Sequence, residues 1–465
     1  MQKWLASAVD YIPRWLEFQM RVSQQPGCVV AIVHRGEVVL EQAFGLADLV
    51  EGRPLTPRHR FRVASHSKTY TAAGVMKLRE EGKLKLDDAV GQYVEGLNAR
   101  VGRSTIAQLL SHSAGLARDG RDGRQFTFRT AEQVMADLAG SPIIEPNTRF
   151  KYSNHGYALL GLAIEAATGE PFARWIKRNI IDAAGLKETR PDMPVPASWP
   201  VASGHSGRLV LGRRVAIPGN YSTNAVAPAA GVVTTARELA LFFAQLSPRS
   251  PRSVLSVASR REMARRQWRN PHSSFERYYG LGTISGTFFG WDWFGHSGGL
   301  QGYITRTCVF PEQDLTVAVL TNAIDGWAAM WVDGAAAILQ AFARRGPPSR
   351  KVRDWTGRWW SLWGAIDLIP AGERVLAVAP GMLNPIQDAS ELDVAGRDVG
   401  RVAAAEGYSH FGEPVRRERN AAAQVSEVWI GAAKLVPEDR LAAEMRRRYG
   451  RKPRKRRARQ PRRKR

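Results

Sequence analysis

The sequence predicts an α/β (α+β) fold in which an antiparallel sheet is flanked by helices, interrupted by a helical insert, and followed by an all-β accessory domain. Three observations predict it. β-rich runs stand at both ends of the first 345 residues, and mainly helical periodicity fills the stretch between them. A linker containing Gly and Pro then gives way to short alternating strands.

Cys28 to Val33 and Glu37 to Phe44 are β-rich and separated by His34, Arg35 and Gly36, the pattern of an antiparallel hairpin. A helical stretch runs from about Ser65 to Glu81. Between Ile106 and Leu246 the helical segments are Thr130 to Leu138, Gly156 to Ala167 ending at Gly169, and Thr235 to Leu246. Strands return at Tyr303 to Phe310 and Leu315 to Thr321, joined by a turn at Pro311 to Asp314, and a helix follows over Trp327 to Arg344. Arg345 to Asp354 has linker composition. Trp355 to Pro437, with runs such as Arg374 to Ala379 and Val425 to Ile430, reads as a small barrel. The expected domains are therefore 1–345, 355–440 and a disordered basic tail over 446–465.

A chain of 465 residues exceeds the size of one growing core, which agrees with more than one domain. Apolar residues at 44% and charged residues at 24% exclude wholesale disorder. The net charge of +24 suggests a nucleic-acid binder until it is located along the chain. Residues 446–465 hold 14 Lys or Arg and no acid; removing those 14 from +24 leaves +10 for residues 1–445. Such a run meets an anionic partner, nucleic acid or a membrane surface, through salt-sensitive contacts, or is a solvated extension without a partner. Cys28 and Cys308 lie in apolar strand-like runs without ligand spacing and read as reduced core residues. No signal-peptide pattern opens the chain and no apolar run reaches the roughly 18 residues of a transmembrane helix, so a cytoplasmic location is expected. Neither a metal nor an organic cofactor is implied.

Three short elements carry chemistry. Ser65, His66, Ser67 and Lys68 spell S-x-x-K at a helix start, where residues three apart share a face and the Lys68 amine reaches the Ser65 hydroxyl. A serine hydroxyl becomes a nucleophile when a neighbouring amine of lowered pKa takes its proton, and free N–H groups at a helix start favour developing negative charge. Tyr152, Ser153 and Asn154 stand just before a helix; the phenol suits proton delivery to a leaving group and the amide suits holding Lys68 or a substrate carbonyl. Taken singly, Asn154 reads equally as a helix N-cap and Tyr152 as a packing residue. His296, Ser297, Gly298 and Gly299 precede the strand at Tyr303; the glycines let a ligand lie against the backbone, with His296 and Ser297 as donors on the other cleft wall.

Together the three elements resemble the S-x-x-K, Y-x-N and K-T-G or H-x-G set of serine β-lactamases, D,D-peptidases and their relatives. Glu81 to Val90, Ile106 to Leu116, Ser153 to Gly169 and Pro228 to Ala236 look like the class C β-lactamase-like family as well, so the resemblance covers about Gln25 to Phe342. It implies Ser65 as the acylated nucleophile, Lys68 or Tyr152 as first base, Tyr152 as proton shuttle, and the N–H groups of Ser65 and Gly299 as oxyanion hole. Asn154, His296, Ser297 and Gly298 complete the implied substrate site. Histidine at 296 departs from the lysine of true β-lactamases and resembles the D-aminopeptidase and D-peptidase branches.

The expectation is hydrolysis of a small amide or peptide, one containing a D-residue, through an ester on Ser65. A carboxylesterase of the same family and a penicillin-binding sensor without turnover are the alternatives. Gly295 to Gly299 also spell the G-x-S-x-G elbow of α/β-hydrolases, but that motif needs a helix after the serine, and Leu300 to Phe310 reads as strand. His112 reads as a structural hydrogen-bonding residue, and the remaining histidines have no assigned partner.

Overall fold

The structure, a computed structural model, describes residues 2–120, 128–209, 211–271 and 276–450. The described residues form two compact units, Ile12–Leu339 and Gln2–Tyr11 together with Gln340 onward. The division runs through a helix, Ala328–Arg345, whereas the sequence reading put it in the 345–354 linker. Helical hydrogen bonds are local, so one helix can contribute to two cores and hide a border that composition alone would mark with Gly and Pro.

The first unit is built on a nine-stranded antiparallel sheet. In chain order its strands are β1 (Gly27–His34), β2 (Glu37–Asp48), β3 (Arg53–Pro54), β4 (Trp268–Arg269), β5 (Arg277–Tyr279), β6 (Ile284–Phe288), β7 (Trp291–Leu300), β8 (Tyr303–Phe310) and β9 (Leu315–Thr321). The spatial order is β3-β2-β1-β9-β8-β7-β6-β5-β4. β1 and β9 are buried at every position, which explains why their sequences are unbroken apolar runs. The hairpin between β1 and β2 turns at Arg35 and Gly36, with φ of 54° and 80°. Two successive positive φ values make the turn whose twist matches the flanking strands, and Gly36 adopts its share without steric cost.

Three longer helices frame this unit, α2 (Ser67–Glu80), α3 (Asn154–Thr168) and α4 (Ala236–Gln245); the division between the units runs through α1 (Lys3–Ser23) and α5 (Ala328–Arg345). α4 lies along β1, β8 and β9, and α2 lies against α3 and the turn Ala227–Ala230. Ser67 to Met76 is buried at every position, so α2 is a core helix with no solvent stripe. Thr235 caps α4 and Gly169, at φ 69°, ends α3.

One element differs from the sequence reading in a way that bears on the site. His296 to Gly299 do precede the strand at Tyr303, but they are themselves part of β7, which pairs with β6 up to Gly295↔Ile284 and with β8 through His296↔Thr307 and Gly299↔Ile304. Gly has poor strand propensity, so the run shows no local strand signal and is held by its pairing with β8.

The second unit is an eight-stranded antiparallel ribbon in sequential order. Its strands are β10 (Gly357–Ser361), β11 (Gly364–Ala371), β12 (Arg374–Val378), β13 (Ser390–Val394), β14 (Val399–Ala404), β15 (Pro414–Arg419), β16 (Val425–Ile430) and β17 (Ala433–Leu435). Reciprocal backbone bonds of 2.8 and 2.9 Å between Trp360 and Val436 join the first strand to the chain just past the last, closing a barrel. Inside this unit, buried Asp367 accepts from Arg358 at 2.7 and 2.9 Å and from Tyr11 at 2.9 Å, which ties Gln2–Tyr11 to the barrel. Helix α6 (Glu438–Tyr449) takes in Arg446 to Arg448, which the sequence reading assigned to a disordered tail. The first turns of that basic run continue a helix whose opening turn holds Glu438 and Asp439, opposite in sign to its arginine-rich end and favourable for the helix dipole. Residues 451–465 lie outside the described residues, as does His272.

Candidate active site

The bridge Phe61–Arg62, paired with Val233–Thr234, delivers the chain to a tight turn at the start of α2. Ala64 sits there at φ 49°, a left-handed conformation that costs free energy for a residue with a Cβ and persists only where neighbours over-determine it. Those neighbours are identifiable. Ser67 Oγ donates to Ala64 O at 2.6 Å and accepts from Val232 N at 2.9 Å. His66 Nδ1 donates to Val63 O at 3.0 Å, and its Nε2 accepts from Thr307 Oγ1 at 3.0 Å. Burial lowers the His66 pKa to about 3, so this imidazole is a neutral strut between the turn and β8. Sequence reading gave His66 no partner, because Thr307 is a long-range neighbour. Within Phe61 to Tyr70, Ser65 alone is part-exposed, and its hydroxyl is the atom the turn presents.

Ser65 Oγ lies 2.8 Å from Tyr152 OH and 3.3 Å from Lys68 Nζ. Lys68 Nζ also reaches Asn154 Oδ1 at 2.7 Å and Ala229 O at 2.9 Å. Burial pushes the Lys68 amine well below its usual pKa, with Asp119 opposing that shift and Arg118 adding to it. In the neutral form that burial favours, the amine has two N–H donors and one lone pair; Asn154 Oδ1 and Ala229 O only accept, so in that form they would take the two donors and the lone pair would be left for Ser65. Burial pushes the Tyr152 phenol upward, which keeps it protonated and makes it the donor to Ser65 Oγ.

Asn154 is the first residue of α3, and the N-cap is its neighbour Ser153, whose Oγ accepts from Gly156 N at 2.9 Å. That division of labour frees the Asn154 amide for Lys68. Its Nδ2 donates to Asp119 Oδ1, and a carboxylate fixes which end of the amide faces the lysine. Sequence reading missed Asp119, whose only signal is a carboxylate in the loop after Leu116. His112 holds the Tyr152 loop from behind: its carbonyl accepts from Lys151 N at 2.8 Å and its Nδ1 accepts from Ser153 N at 3.1 Å. Its ring lies 4.2 Å from that of Tyr152, and burial keeps it neutral, in keeping with a structural hydrogen-bonding role.

The third element corrects the sequence reading. His296 is 1% exposed and uses both ring nitrogens internally. Nδ1 donates to Ser297 O at 2.7 Å, and Nε2 accepts from Tyr279 OH at 3.0 Å. Burial, with His66 nearby, pushes its pKa well below the usual value, so it is neutral and offers no N–H to a ligand. Strand alternation puts His296 and Gly298 on the buried face and Ser297 and Gly299 on the accessible one. A Cβ on Gly298 would meet Val63 O and Thr305 Oγ1, so that glycine admits the nucleophile turn rather than a ligand. A Cβ on Gly299 would meet only Ile304 Cδ1 at 3.5 Å, an ordinary contact. Ser297 lies within β7 with no helix after it, so the elbow motif is absent.

Gly298→Ala is therefore expected to cost about 1–3 kcal/mol of stability through overpacking. Gly299→Ala is expected to melt with the wild type. Thermal denaturation of both checks this.

Cys28 and Cys308 are buried free thiols in β1 and β8; burial raises both pKa values, that of Cys308 to about 11. No group of three or more metal-ligating side chains occurs among the described residues.

Residues 14–341 match the family model described as Beta-lactamase. Among curated proteins, penicillin-binding protein 4* of Bacillus subtilis is 35% identical over 166 residues, 33% of this chain and 36% of that protein. Protein flp of Staphylococcus aureus is 28% identical over 181 residues, 37% of this chain and 36% of that protein. The chain thus spans about a third of the length of these relatives. Among solved structures, the octameric penicillin-binding protein homologue from Pyrococcus abyssi has a TM-score of 0.65 at 24% identity, covering 92% of this chain and 100% of that one. A D-stereospecific amidohydrolase from Streptomyces sp. has a TM-score of 0.57 at 24% identity, covering 69% and 96%. A class C beta lactamase from Rhodobacter sphaeroides has a TM-score of 0.60 at 20% identity, covering 72% and 99%. At these identities the structures establish a shared fold.

Proposed function

The chain belongs to the beta-lactamase family, a fold family of serine hydrolases, and on that premise we propose that it hydrolyses a small amide or peptide bond, with a D-residue in the substrate, through an ester on Ser65. The observation that carries this reading is the hydrogen-bond set around Ser65 Oγ, a buried amine whose pKa burial lowers on one side and a protonated phenol on the other. Lys68 takes the Ser65 proton as Oγ bonds to the substrate carbonyl carbon, and the N–H groups of Ser65 and Gly299 receive the oxyanion. As the C–N bond breaks, Tyr152 gives its proton to the departing nitrogen and regains one from the Lys68 ammonium. Water then attacks the ester with the same groups in reverse order, releasing the acid and restoring Ser65.

One observation favours a D-amide over a β-lactam: the neutral, buried His296 supplies no cation of the kind the β-lactamase lysine offers at that position. Tyr152→Phe tests the leaving-group role. An amide nitrogen departs only when protonated, whereas an aryloxide leaves with little help. Single-turnover acylation by an aminoacyl anilide is expected to fall about 10²-fold or more, and that by the matching aryl ester far less. Equal losses would overturn the amide reading in favour of an esterase. Intact mass spectrometry after exposure to D- and L-aminoacyl amides and esters tests the stereochemistry, and an acyl adduct that never turns over would identify a sensor.

A further inference from the structure

The barrel unit carries an apolar patch that the hydrolytic chemistry does not use. The hairpin between β10 and β11 turns at Leu362 and Trp363, which are 65% and 97% exposed. Beside it runs α6, none of whose residues is buried. Leu441, Met445 and Tyr449 recur every four residues and so share one face of that helix. They line, together with Leu362 and Trp363, a cavity of about 290 Å³. Met445 and Tyr449 are 42% and 67% exposed. The helix ends in Arg446, Arg447 and Arg448, and residues 451–465 add 11 Lys or Arg and no acid.

We propose that this face attaches the protein to an anionic phospholipid bilayer. Trp363 and Leu362 enter the interface, Met445 and Tyr449 lie beside them, and the arginines of α6 with the basic residues of 451–465 meet the headgroups. Tryptophan and tyrosine favour the headgroup level, where an apolar ring and a polar edge are both satisfied. One weak apolar signal or one basic run gives only marginal binding; stable attachment takes two, and this unit carries both, Leu362 and Trp363 beside α6 and the arginines at the end of α6. The aliphatic members decide against nucleic acid, since Leu362 and Met445 gain nothing from phosphodiesters. Charge decides against a second copy, because apposing this face on itself brings two sets of the α6 arginines Arg446, Arg447 and Arg448 together. Among the described residues no helix is long and apolar enough to cross a membrane.

Co-sedimentation of the full-length chain with phosphatidylcholine vesicles, with and without phosphatidylglycerol, tests this at two salt concentrations. Binding is expected only with phosphatidylglycerol and is expected to weaken with salt. Leu362→Ser with Trp363→Ser, both exposed enough to spare the fold, is expected to weaken it about tenfold or more. Replacing the 11 basic residues of 451–465 by Gln is expected to do the same. Hydrolysis of a small substrate in solution stays unchanged in both variants. Wild-type affinity in the double serine variant would overturn the proposal, as would equal binding to pure phosphatidylcholine. So would displacement of the vesicle-bound chain by equimolar RNA, or a wild-type dimer in sedimentation equilibrium that the serine variant dissolves.

Discussion

Ser65→Ala is expected to abolish covalent labelling by a fluorophosphonate and to reduce hydrolysis by about 10⁴-fold or more, while the protein melts with the wild type. Among the described residues Ser65 supplies the only oxygen contacted by both Lys68 and Tyr152, so no neighbouring hydroxyl inherits the role. Its side chain is part-exposed, and Lys68 Nζ keeps Asn154 Oδ1 and Ala229 O as partners when the hydroxyl is lost. The turn keeps its shape because Ser67, His66 and Gly298 hold it, not Ser65. Intact mass spectrometry and a melting curve on the same preparation check both halves. Labelling that moved to Ser297 would transfer the nucleophile to β7 and defeat the assignment.

Lys68→Ala is expected to slow acylation by about 10² to 10⁴, the range for loss of a general base. The pH dependence carries the sharper test. Burial lowers the Lys68 pKa in the folded protein, and acylation needs the neutral amine. The wild-type rate therefore rises as pH increases through that lowered value, well below the usual lysine range near 10.4. The variant loses this limb. Stability follows the same linkage: between the lowered folded pKa and the unfolded one, the unfolded chain binds more protons, so wild-type stability rises with pH across that window. In Lys68→Ala that contribution disappears. Stopped-flow acylation and denaturant titrations over pH check the two statements. An unchanged acylation limb would pass the base role to Tyr152 or water.

The chemistry was legible in the sequence where it depends on spacing along the chain. Ser65 and Lys68 share a helix turn, and Tyr152 with Asn154 stands at a helix start, so short-range geometry brings each pair to one place. β1 and β9 were legible because strands covered on both sides must be apolar throughout. The helix and strand runs Thr235 to Leu246, Tyr303 to Phe310 and Leu315 to Thr321 follow from local periodicity and match the folded chain closely.

Tertiary structure alone decided what depends on partners far along the chain. The strand at His296 to Gly299 exists because β8 pairs along it, and two glycines give no local sign of that. Its register turns His296 inward to Tyr279 and Gly298 onto Val63, where sequence had both facing a ligand. Asp119 joins the site through Asn154, and Ala229 through a backbone carbonyl that no residue type can announce. The proton balance of the pair is set the same way: burial shifts Lys68 toward the neutral amine and holds Tyr152 in its protonated form, and burial is a property of the assembled core. Sequence by itself determined that Lys68 shares a helix turn with Ser65; three-dimensional packing brought Tyr152 to the same oxygen and set the burial that favours the neutral amine and the protonated phenol, because desolvation acts only once the chain is closed around them.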